Sequence, residues 1–425
     1  SPAARAKLLE YNKDDAELTL DITRMLYEDL AKDPRRLAVA LIEAQSLSLV
    51  GDANYRGMNI DRVWCKHLAA ELQAEAAQML SELEPHGVTE KVVRSPKKLA
   101  TLLFDEWGLT PLKTSAAGNR STDKETLHEL SAVDDRVSKV RTYREALNNV
   151  KKFALNPLEA AEYNNDGRAH PLAKVFSTYT GRMTYSSDQG TGKERRQTGW
   201  ALHQEKRDKK FRNILVAPPG YTICEFDAAG QEYRWMAVAS GDLTMQALCQ
   251  PGEDPHAFMA AQVVGGDYRH IQYGAKHDDE QADKDRKLGK VGNLSLQYRT
   301  SANKLRVVSR VQYGIPMDEP QSMNVHRTYR QTYTNVPRYW DFQITHARQV
   351  GFVQTLAGRQ VQLPKVIKRE HEWSVGSTAI NYRIQGTGAD QKYLAMAVLK
   401  SYMLDNDILF GFELHDGLYL YVPDE

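Results

Sequence analysis

The chain has 425 residues, 41% of them hydrophobic, so it is long enough to bury a large core in more than one domain and too long for a small binding module. Its 56 Lys and Arg residues nearly balance 55 Asp and Glu residues, and a net charge of +1 excludes the overall basic field of a small DNA-packaging protein. Three widely separated cysteines argue against a disulfide framework or a zinc site, and they indicate a reducing, intracellular compartment.

Membrane insertion is not expected from this sequence. No stretch approaches the ~18 to 20 consecutive apolar residues that span a bilayer, and the N-terminus lacks a basic segment followed by an apolar one. The sequence therefore predicts a soluble, cytoplasmic protein without a membrane partner.

The first 85 residues are predicted to be mostly helical. Apolar residues recur at helical spacing in 14–33 and in 61–84, and both segments begin with acidic residues. The segment 95–109 begins with Ser95 as a helix N-cap, and a polar loop within 110–130 leads into another capped helix.

From about residue 166 the pattern changes to mixed α and β. The predicted strands cover 221–226, 408–414 and 418–422, and the predicted helices cover 231–240 and 283–305. The charged segment 274–285 is predicted to be a loop or a helix start.

One local segment is strongly basic. In residues 193–213, "KERRQTGWALHQEKRDKKFRN", basic side chains outnumber acidic ones and aromatic residues are interleaved. Such a segment either binds a polyanion or forms a solvated charged surface, and composition leaves both alternatives open.

Two aspartates stand at the ends of predicted strands. Asp227 follows the strand "YTICEF", where a carboxylate is either a helix N-cap or a catalytic group, and Glu232 comes five residues later. Asp416 lies in "LHDG" between two apolar runs, which predicts a hairpin turn with Gly417 at positive φ. A carboxylate at that tip can also bind a metal ion.

A helical stripe of four residues follows a four-residue spacing, with each step advancing about 40° around the helix axis. The residues are Arg286, Lys290, Leu294 and Tyr298. The two cations suit a polyphosphate, and the apolar and aromatic residues suit a base and a sugar. The alternative is an ordinary amphipathic helix, but Gly289 and Gly292 each cost about 1 kcal/mol relative to Ala there.

These segments together resemble the motifs of the family A DNA polymerases. "DAAGQEYR" and "HDG" resemble the two palm motifs, and "RKLGKVGNLSLQY" resembles the fingers motif. "TYTGRMTYSS", "TLAGRQVQLP" and "AINYRIQGTGADQ" are similar to further family segments, and "GMNIDRVW" with "SPKKLATLLFDEWGLTPLKTSAAGNRSTDKETL" resembles the lead-in and the thumb. The matches run collinearly from about residue 40 to 422.

The resemblance implies an α+β fold shaped like a right hand, with an antiparallel palm sheet and helical fingers and thumb. The implied boundaries are 1–20 for the C-terminal remnant of an exonuclease domain, 21–60 for the lead-in helix and palm edge, 61–150 for the thumb, 151–240 for the palm with its first motif, 241–350 for the fingers, and 351–425 for the palm with its second motif.

The resemblance also implies the roles of the catalytic residues. Asp227 and Asp416 would hold two Mg²⁺ ions, which Mn²⁺ can replace, so that Asp416 would be turn residue and metal ligand at once. Arg286 and Lys290 would contact the triphosphate of the incoming nucleotide, and Lys290 would donate a proton to the leaving pyrophosphate.

The remaining implied roles concern the sugar, the base pair and the DNA. Tyr298 would support the nascent base pair beside Leu294, and with Glu232 it would exclude a 2′-hydroxyl. The residues expected to contact primer-template DNA are Arg182, Asn381, Gln385 and His415.

The function implied by this resemblance is template-directed DNA synthesis on primer-template DNA from deoxynucleoside triphosphates, with unidentified accessory proteins as further partners. Two alternatives use the same features: a DNA-binding relative with weak catalysis, and a metal-dependent nuclease. Paired aspartates argue against the first, and the Arg286–Lys290 pair would be unexplained in the second.

Several positions depart from the family pattern. Gly417 stands where Glu is usual, Leu294 where an aromatic residue is common, Arg299 where Gly is usual, and Ala229-Gly230 where Ser-Gln is usual. Leu294, Arg299 and Ala229-Gly230 favour a phage origin, and Leu294 predicts poor acceptance of dideoxynucleotides. Gly417 predicts altered handling of the metal ions or the primer without loss of activity.

The N-terminal segment carries a separate resemblance. Tyr11 and Asp15 match the last motif of the family's 3′-5′ exonuclease domain. A lone carboxylate cannot hold two metal ions, so no proofreading is expected from this chain.

Overall fold

The structure is a computed structural model of the chain. It describes residues 2–114, 118–175, 177–186, 196–364, 372–414 and 416–424. In these ranges no helix is both long and apolar enough to cross a membrane.

The N-terminal part is helical, as the sequence predicts. Its helices are α1 (Pro2–Leu30), α2 (Pro34–Arg56), α3 (Arg62–Leu83), α4 (Glu90–Val93), α5 (Pro96–Ala100), α6 (Lys124–Leu130), α7 (Asp135–Val150) and α8 (Asn156–Tyr163). Ser95 caps α5 through a hydrogen bond from the Lys98 amide, as predicted. Two π-helical segments, 101–106 and 151–155, continue α5 and α7.

A second helical region occupies the middle of the chain. Its helices are α9 (Lys209–Arg212), α10 (Gln231–Ser240), α11 (Leu243–Ala247), α12 (Pro255–Val264), α13 (Tyr268–Gly274), α14 (Glu280–Leu296), α15 (Ala302–Tyr313), α16 (Glu319–Thr332) and α17 (Asn335–Val350). Helices α10 to α12 and α14 to α17 pack around an apolar core that also includes Ile380 and Ile384 of the long helix α18 (Glu372–Asp405). Phe211 of α9 packs in a different core, and Ile271 of α13 packs against α12.

The strands form three antiparallel sheets. They are β1 (Leu172–Lys174), β2 (Thr184–Ser186), β3 (Tyr221–Asp227), β4 (Phe352–Gln354), β5 (Gln360–Gln362), β6 (Leu409–Leu414) and β7 (Gly417–Pro423). The largest sheet has the order β3-β7-β6, and the other two pair β1 with β2 and β4 with β5.

Both faces of strands β6 and β7 are covered, because their side chains alternate between two cores. The edge strand β3 is more exposed. Leu418 and Leu420 of β7 pack with α2 and α18, whereas Tyr419 packs with α3 and the Trp200 region. The π-helical segment 151–155 and α8 belong to this second core. A register shift between Phe410 and Phe412 marks a bulge in β6.

Two local predictions are wrong. The helix predicted over 283–305 is interrupted, because α14 ends at Leu296 and Arg299 adopts φ 62°, which no α-helix contains. Gly417 does not take positive φ either, since it is the first residue of β7 and pairs with Leu414. The strand predictions 221–226, 408–414 and 418–422 are confirmed by β3, β6 and β7.

Candidate active site

Two aspartates meet at one end of the central sheet. Asp227 is the last residue of β3 and pairs with Gly417, and Asp416 directly precedes β7. Both aspartates line one cavity of about 460 Å³ beside α18. Asp227 is exposed, and its carboxylate forms no hydrogen bond or ion pair with any residue in the described ranges.

This arrangement fits a site for a hard divalent cation. Carboxylates are hard oxygen ligands, and Mg²⁺ is commonly held by one or two of them, with water and substrate phosphates completing the coordination. No cluster of three or more His, Cys, Asp or Glu side chains suited to a metal occurs in the described part of the chain. The protein therefore offers two carboxylates rather than a closed cage.

Arg182 connects this sheet end to the neighbouring helix. Its Nη2 atom donates to Glu232 Oε1 at 2.6 Å and lies 3.5 Å from Asp416 Oδ1. Burial alone would lower the pKa of Arg182, but the negative charges of Glu232 and Asp416 outweigh burial and raise it. Arg182 therefore stays cationic between the two carboxylates.

Glu232 in turn connects to the end of α14. Tyr298 donates from its hydroxyl to Glu232 Oε2 at 2.5 Å, and the Gln297 amide donates to the same oxygen at 3.3 Å. Burial, followed by the charge of Glu232, raises the pKa of Tyr298 well above its usual value, so this phenol remains a donor. Tyr298 lies beyond the last residue of α14 and is not on the helical stripe that the sequence predicts.

The exposed face of α14 carries the predicted cations. Arg286 donates from Nε to Asp254 Oδ2 at 2.7 Å, and Asp254 is also the N-cap of α12. Burial lowers the pKa of Lys290, and the positive charges of Arg207 and Arg286 lower it further. Leu294 is half-buried one turn later. Neither cation is paired with Asp227 or Asp416 in the described ranges.

Two residues beside these cations are not on the predicted helical stripe: His256 was not predicted at all, and Arg207 lies in the basic segment 193–213. Burial lowers the pKa of His256 to about 4, with Arg286 and Lys290 acting in the same direction against Asp254. Its signal is a His directly after an Asp-Pro helix start. Arg207 is exposed, and within the described residues it has no ion-pair partner, although its charge lowers the pKa of Lys290.

The positive charge of the basic segment 193–213 is partly compensated by ion pairs. Residues 193–195 lie outside the described residues. Lys206, Lys210 and Arg212 pair with glutamates of neighbouring elements, at 3.5, 2.9 and 3.3 Å. Much of the positive charge is thus compensated, whereas Arg207 has no ion-pair partner among the described residues.

Two of the predicted DNA-contacting residues lie on α18, and a third lies outside the described residues. Gln385 of α18 lies close to the Tyr298 phenol, whose pKa it acts to lower, and it therefore borders the Arg182–Glu232 network. Asn381, one turn earlier, donates from Nδ2 to Tyr179 Oη at 2.7 Å. His415 lies outside the described residues.

The sequence matches a known family over most of its length. The family profile of DNA polymerase family A matches residues 62–425. The chain is 27% identical over 418 residues to DNA polymerase I of Deinococcus radiodurans, covering 96% of this chain and 41% of that protein. It is 27% identical over 424 residues to the thermostable DNA polymerase I of Thermus filiformis, covering 98% and 48%. The chain therefore spans less than half the length of these curated relatives.

The fold also matches a solved structure, the POL domain of Pol1 from M. smegmatis in complex with DNA primer-template and dNTP. The TM-score is 0.79 at 21% identity, and the match covers 95% of this chain and 68% of that chain. At this identity the similarity shows the fold, and it confirms the predicted α+β polymerase fold. The chain belongs to DNA polymerase family A.

Proposed function

We propose that this chain is a template-directed DNA polymerase that adds deoxynucleotides to a primer 3′-hydroxyl and releases pyrophosphate. One observation carries this proposal: the series Asp416–Arg182–Glu232–Tyr298 joins the sheet end to the end of α14 through direct contacts. A nuclease needs the paired carboxylates alone, whereas a polymerase also needs a nucleotide site fixed relative to them.

Asp227 and Asp416 would hold the metal ions of this reaction. When bound there, two Mg²⁺ or Mn²⁺ ions would activate the primer hydroxyl and stabilise the charge on the transferred phosphate and on the leaving pyrophosphate. Arg182 contacts one oxygen of Asp416, so it orients that carboxylate.

The triphosphate would bind along the exposed face of α14. Arg286 is oriented by Asp254, and Lys290 is close enough to Arg286 and Arg207 for both charges to lower its pKa, so negative phosphate oxygens would relieve the repulsion among these cations. Lys290, whose pKa is lowered, is the proposed proton donor to pyrophosphate. His256 borders the same cations and is proposed to take part in this phosphate site.

The primer-template would bind next to Arg182. Arg182, Asn381 and Gln385, together with His415, are proposed to contact the end of the duplex in its minor groove, where hydrogen-bond acceptors are nearly the same for all base pairs. Contacts to phosphate would make binding weaken steeply with salt.

The finer assignments remain part of this proposal. They are the domain boundaries given above, a phage origin with a cytoplasmic location in a bacterial cell or an infected host, and an exonuclease remnant at 1–20. Leu294 and Arg299 support the phage origin as departures from the family pattern, and Tyr11 and Asp15 support the remnant.

The test is extension of a 5′-labelled primer on a DNA template with four deoxynucleotides and Mg²⁺. The parent chain is compared with Asp227→Asn and Asp416→Asn, which keep the side-chain shape and remove the charge. Asp424→Asn is the control, because Asp424 follows β7 at the opposite end of the sheet and hydrogen-bonds to Thr222. DNA affinity is measured in parallel by fluorescence anisotropy.

We expect the parent and Asp424→Asn to extend the primer, and we expect both active-site variants to bind DNA without extension. Shortening of the labelled strand by the parent would instead identify a nuclease. Binding without extension by the parent would identify the DNA-binding relative.

A further inference from the structure

Tyr179 is an exposed aromatic residue next to the predicted DNA-contacting residues, and none of the roles above includes it. Its side chain is 51% exposed. Its ring stacks on Tyr382, with ring centroids 6.3 Å apart and an angle of 22° between the planes, and Tyr382 is buried in α18. One face of the Tyr179 ring therefore packs against Tyr382, and the remainder of the side chain is exposed to solvent.

The loop that carries Tyr179 also carries Arg182. The Thr178 hydroxyl donates to the Arg182 carbonyl oxygen at 3.1 Å, and the Tyr393 hydroxyl donates to the Gly181 carbonyl oxygen at 3.0 Å. These bonds attach the loop to itself and to α18. Tyr179 is thus held at a fixed place relative to Arg182, which contacts Asp416.

The hydrogen bond from Asn381 determines what the Tyr179 hydroxyl can do. Asn381 Nδ2 donates to Tyr179 Oη at 2.7 Å, so the phenol oxygen accepts and its own hydrogen is left to donate elsewhere. Burial raises the pKa of Tyr179 despite the Asn381 hydrogen bond and the charge of Arg182, so the hydroxyl keeps its hydrogen at neutral pH.

We propose that Tyr179 donates its hydroxyl hydrogen to a minor-groove acceptor, purine N3 or pyrimidine O2, at or next to the primer terminus. This inference rests on the proposed polymerase function. All four correct base pairs place such acceptors at similar positions, whereas a mismatch displaces them. Tyr179 would therefore favour extension of correctly paired termini without reading the base identity.

The test combines a protein change with a change of one DNA atom. Tyr179→Phe keeps the ring and its stacking on Tyr382 and removes only the hydroxyl. In the primer-template, guanine is replaced by 3-deazaguanine, which lacks the N3 acceptor. The replacement is made in turn at the terminal pair and at each of the next three pairs, on the primer strand or on the template strand. The control is Tyr163→Phe, because Tyr163 is 53% exposed on α8 and lies outside the site.

We expect Tyr179→Phe to slow single-nucleotide extension from a matched terminus by about tenfold, and to slow extension from a mismatched terminus less. At one position 3-deazaguanine should slow the parent by a similar factor and should slow Tyr179→Phe no further. Tyr163→Phe should behave as the parent does at every position.

Independent effects of the two changes at every position would overturn the proposal, as would a Tyr179→Phe variant that extends matched termini like the parent. Either result would leave the polymerase function intact, since the parent still extends. If the parent binds DNA without extending it, the same pairs of changes are measured as DNA affinities, and additive losses again overturn the contact.

Discussion

The Tyr298 hydroxyl donates to Glu232 Oε2 at 2.5 Å while Arg182 holds Glu232 Oε1 at 2.6 Å, so both oxygens of this carboxylate are fixed. A side chain held at both oxygens cannot move aside for a bulkier substrate. This rigidity is what the proposed exclusion of a 2′-hydroxyl requires.

Glu232→Ala should therefore admit ribonucleotides. Removing the side chain opens space beside Tyr298, and the preference for deoxynucleotides, measured as the ratio of kcat/KM values, should fall at least tenfold, or by about 1.4 kcal/mol. Glu232→Gln is the matched variant, because it keeps the volume and should retain most of the preference. Equal loss in both variants would assign the effect to charge and contradict steric exclusion.

A second prediction concerns the two glycines of α14. A Cβ atom on Gly289 would lie 2.1 Å from the His256 carbonyl oxygen and 2.7 Å from the Ala260 amide nitrogen, so α12 would have to move. A Cβ on Gly292 would lie 3.3 Å from one methyl group of Val325, which can shift.

We expect Gly289→Ala to lower the free energy of unfolding by about 2 kcal/mol or more and to weaken nucleotide binding, because α12 carries His256 and the Asp254 carboxylate. Gly292→Ala should be nearly neutral, since its gain of about 1 kcal/mol in helix propensity offsets the tight contact. Urea denaturation and nucleotide titration would measure both. Similar losses in the two variants would contradict close packing as the reason for Gly289.

The sequence predicts well what depends on local periodicity and poorly what depends on distant segments. The strand carrying Asp227 and the helix carrying Arg286 follow from alternating and four-residue patterns. The proximity of Arg207 and His256 to Lys290 is not predictable from local patterns, because both residues come from other segments of the chain. Tyr179 was missed because its partner Asn381 is 202 residues away in the chain.

The interruption after α14 is a case in which a local pattern predicts a helix that the structure does not continue. Residues 283–305 keep a helical pattern, yet the chain turns at Arg299, where φ is 62°. In the family, Gly is usual at this position. That Gly indicates a left-handed backbone conformation, because Gly adopts it without strain. Helical spacing alone does not reveal a single residue with a left-handed backbone conformation.

Arg299 supplies a third prediction. A non-glycine residue in the left-handed region costs about 1 kcal/mol or more, so the free energy of unfolding of Arg299→Gly should exceed that of Arg299→Ala by about 1 kcal/mol. Arg299→Ala removes the same side chain, which lies near Gly376, but keeps the backbone strain. It should be less stable than Arg299→Gly in urea denaturation. Equal stability of the two variants would mean that the backbone at 299 is not strained.

The last prediction concerns the pH dependence of stability. Glu205 is 1% exposed and accepts a hydrogen bond from Trp200 Nε1 at 3.1 Å. Burial raises the pKa of Glu205 from 4.5 to about 8, against that hydrogen bond. The folded chain therefore holds a proton here that the unfolded chain releases near pH 4.5.

The resulting contribution to stability is fully present below pH 4.5 and is lost as the pH rises toward about 8. Glu205→Gln keeps the shape and an oxygen acceptor for Trp200 without titrating. We expect the variant and the parent to have similar urea midpoints near pH 5, and we expect the variant to become the more stable of the two by pH 8.5. Glu10→Gln, at an exposed position of α1, should follow the parent throughout. Parallel curves for Glu205→Gln and the parent would show that Glu205 is already ionised in the folded chain at neutral pH.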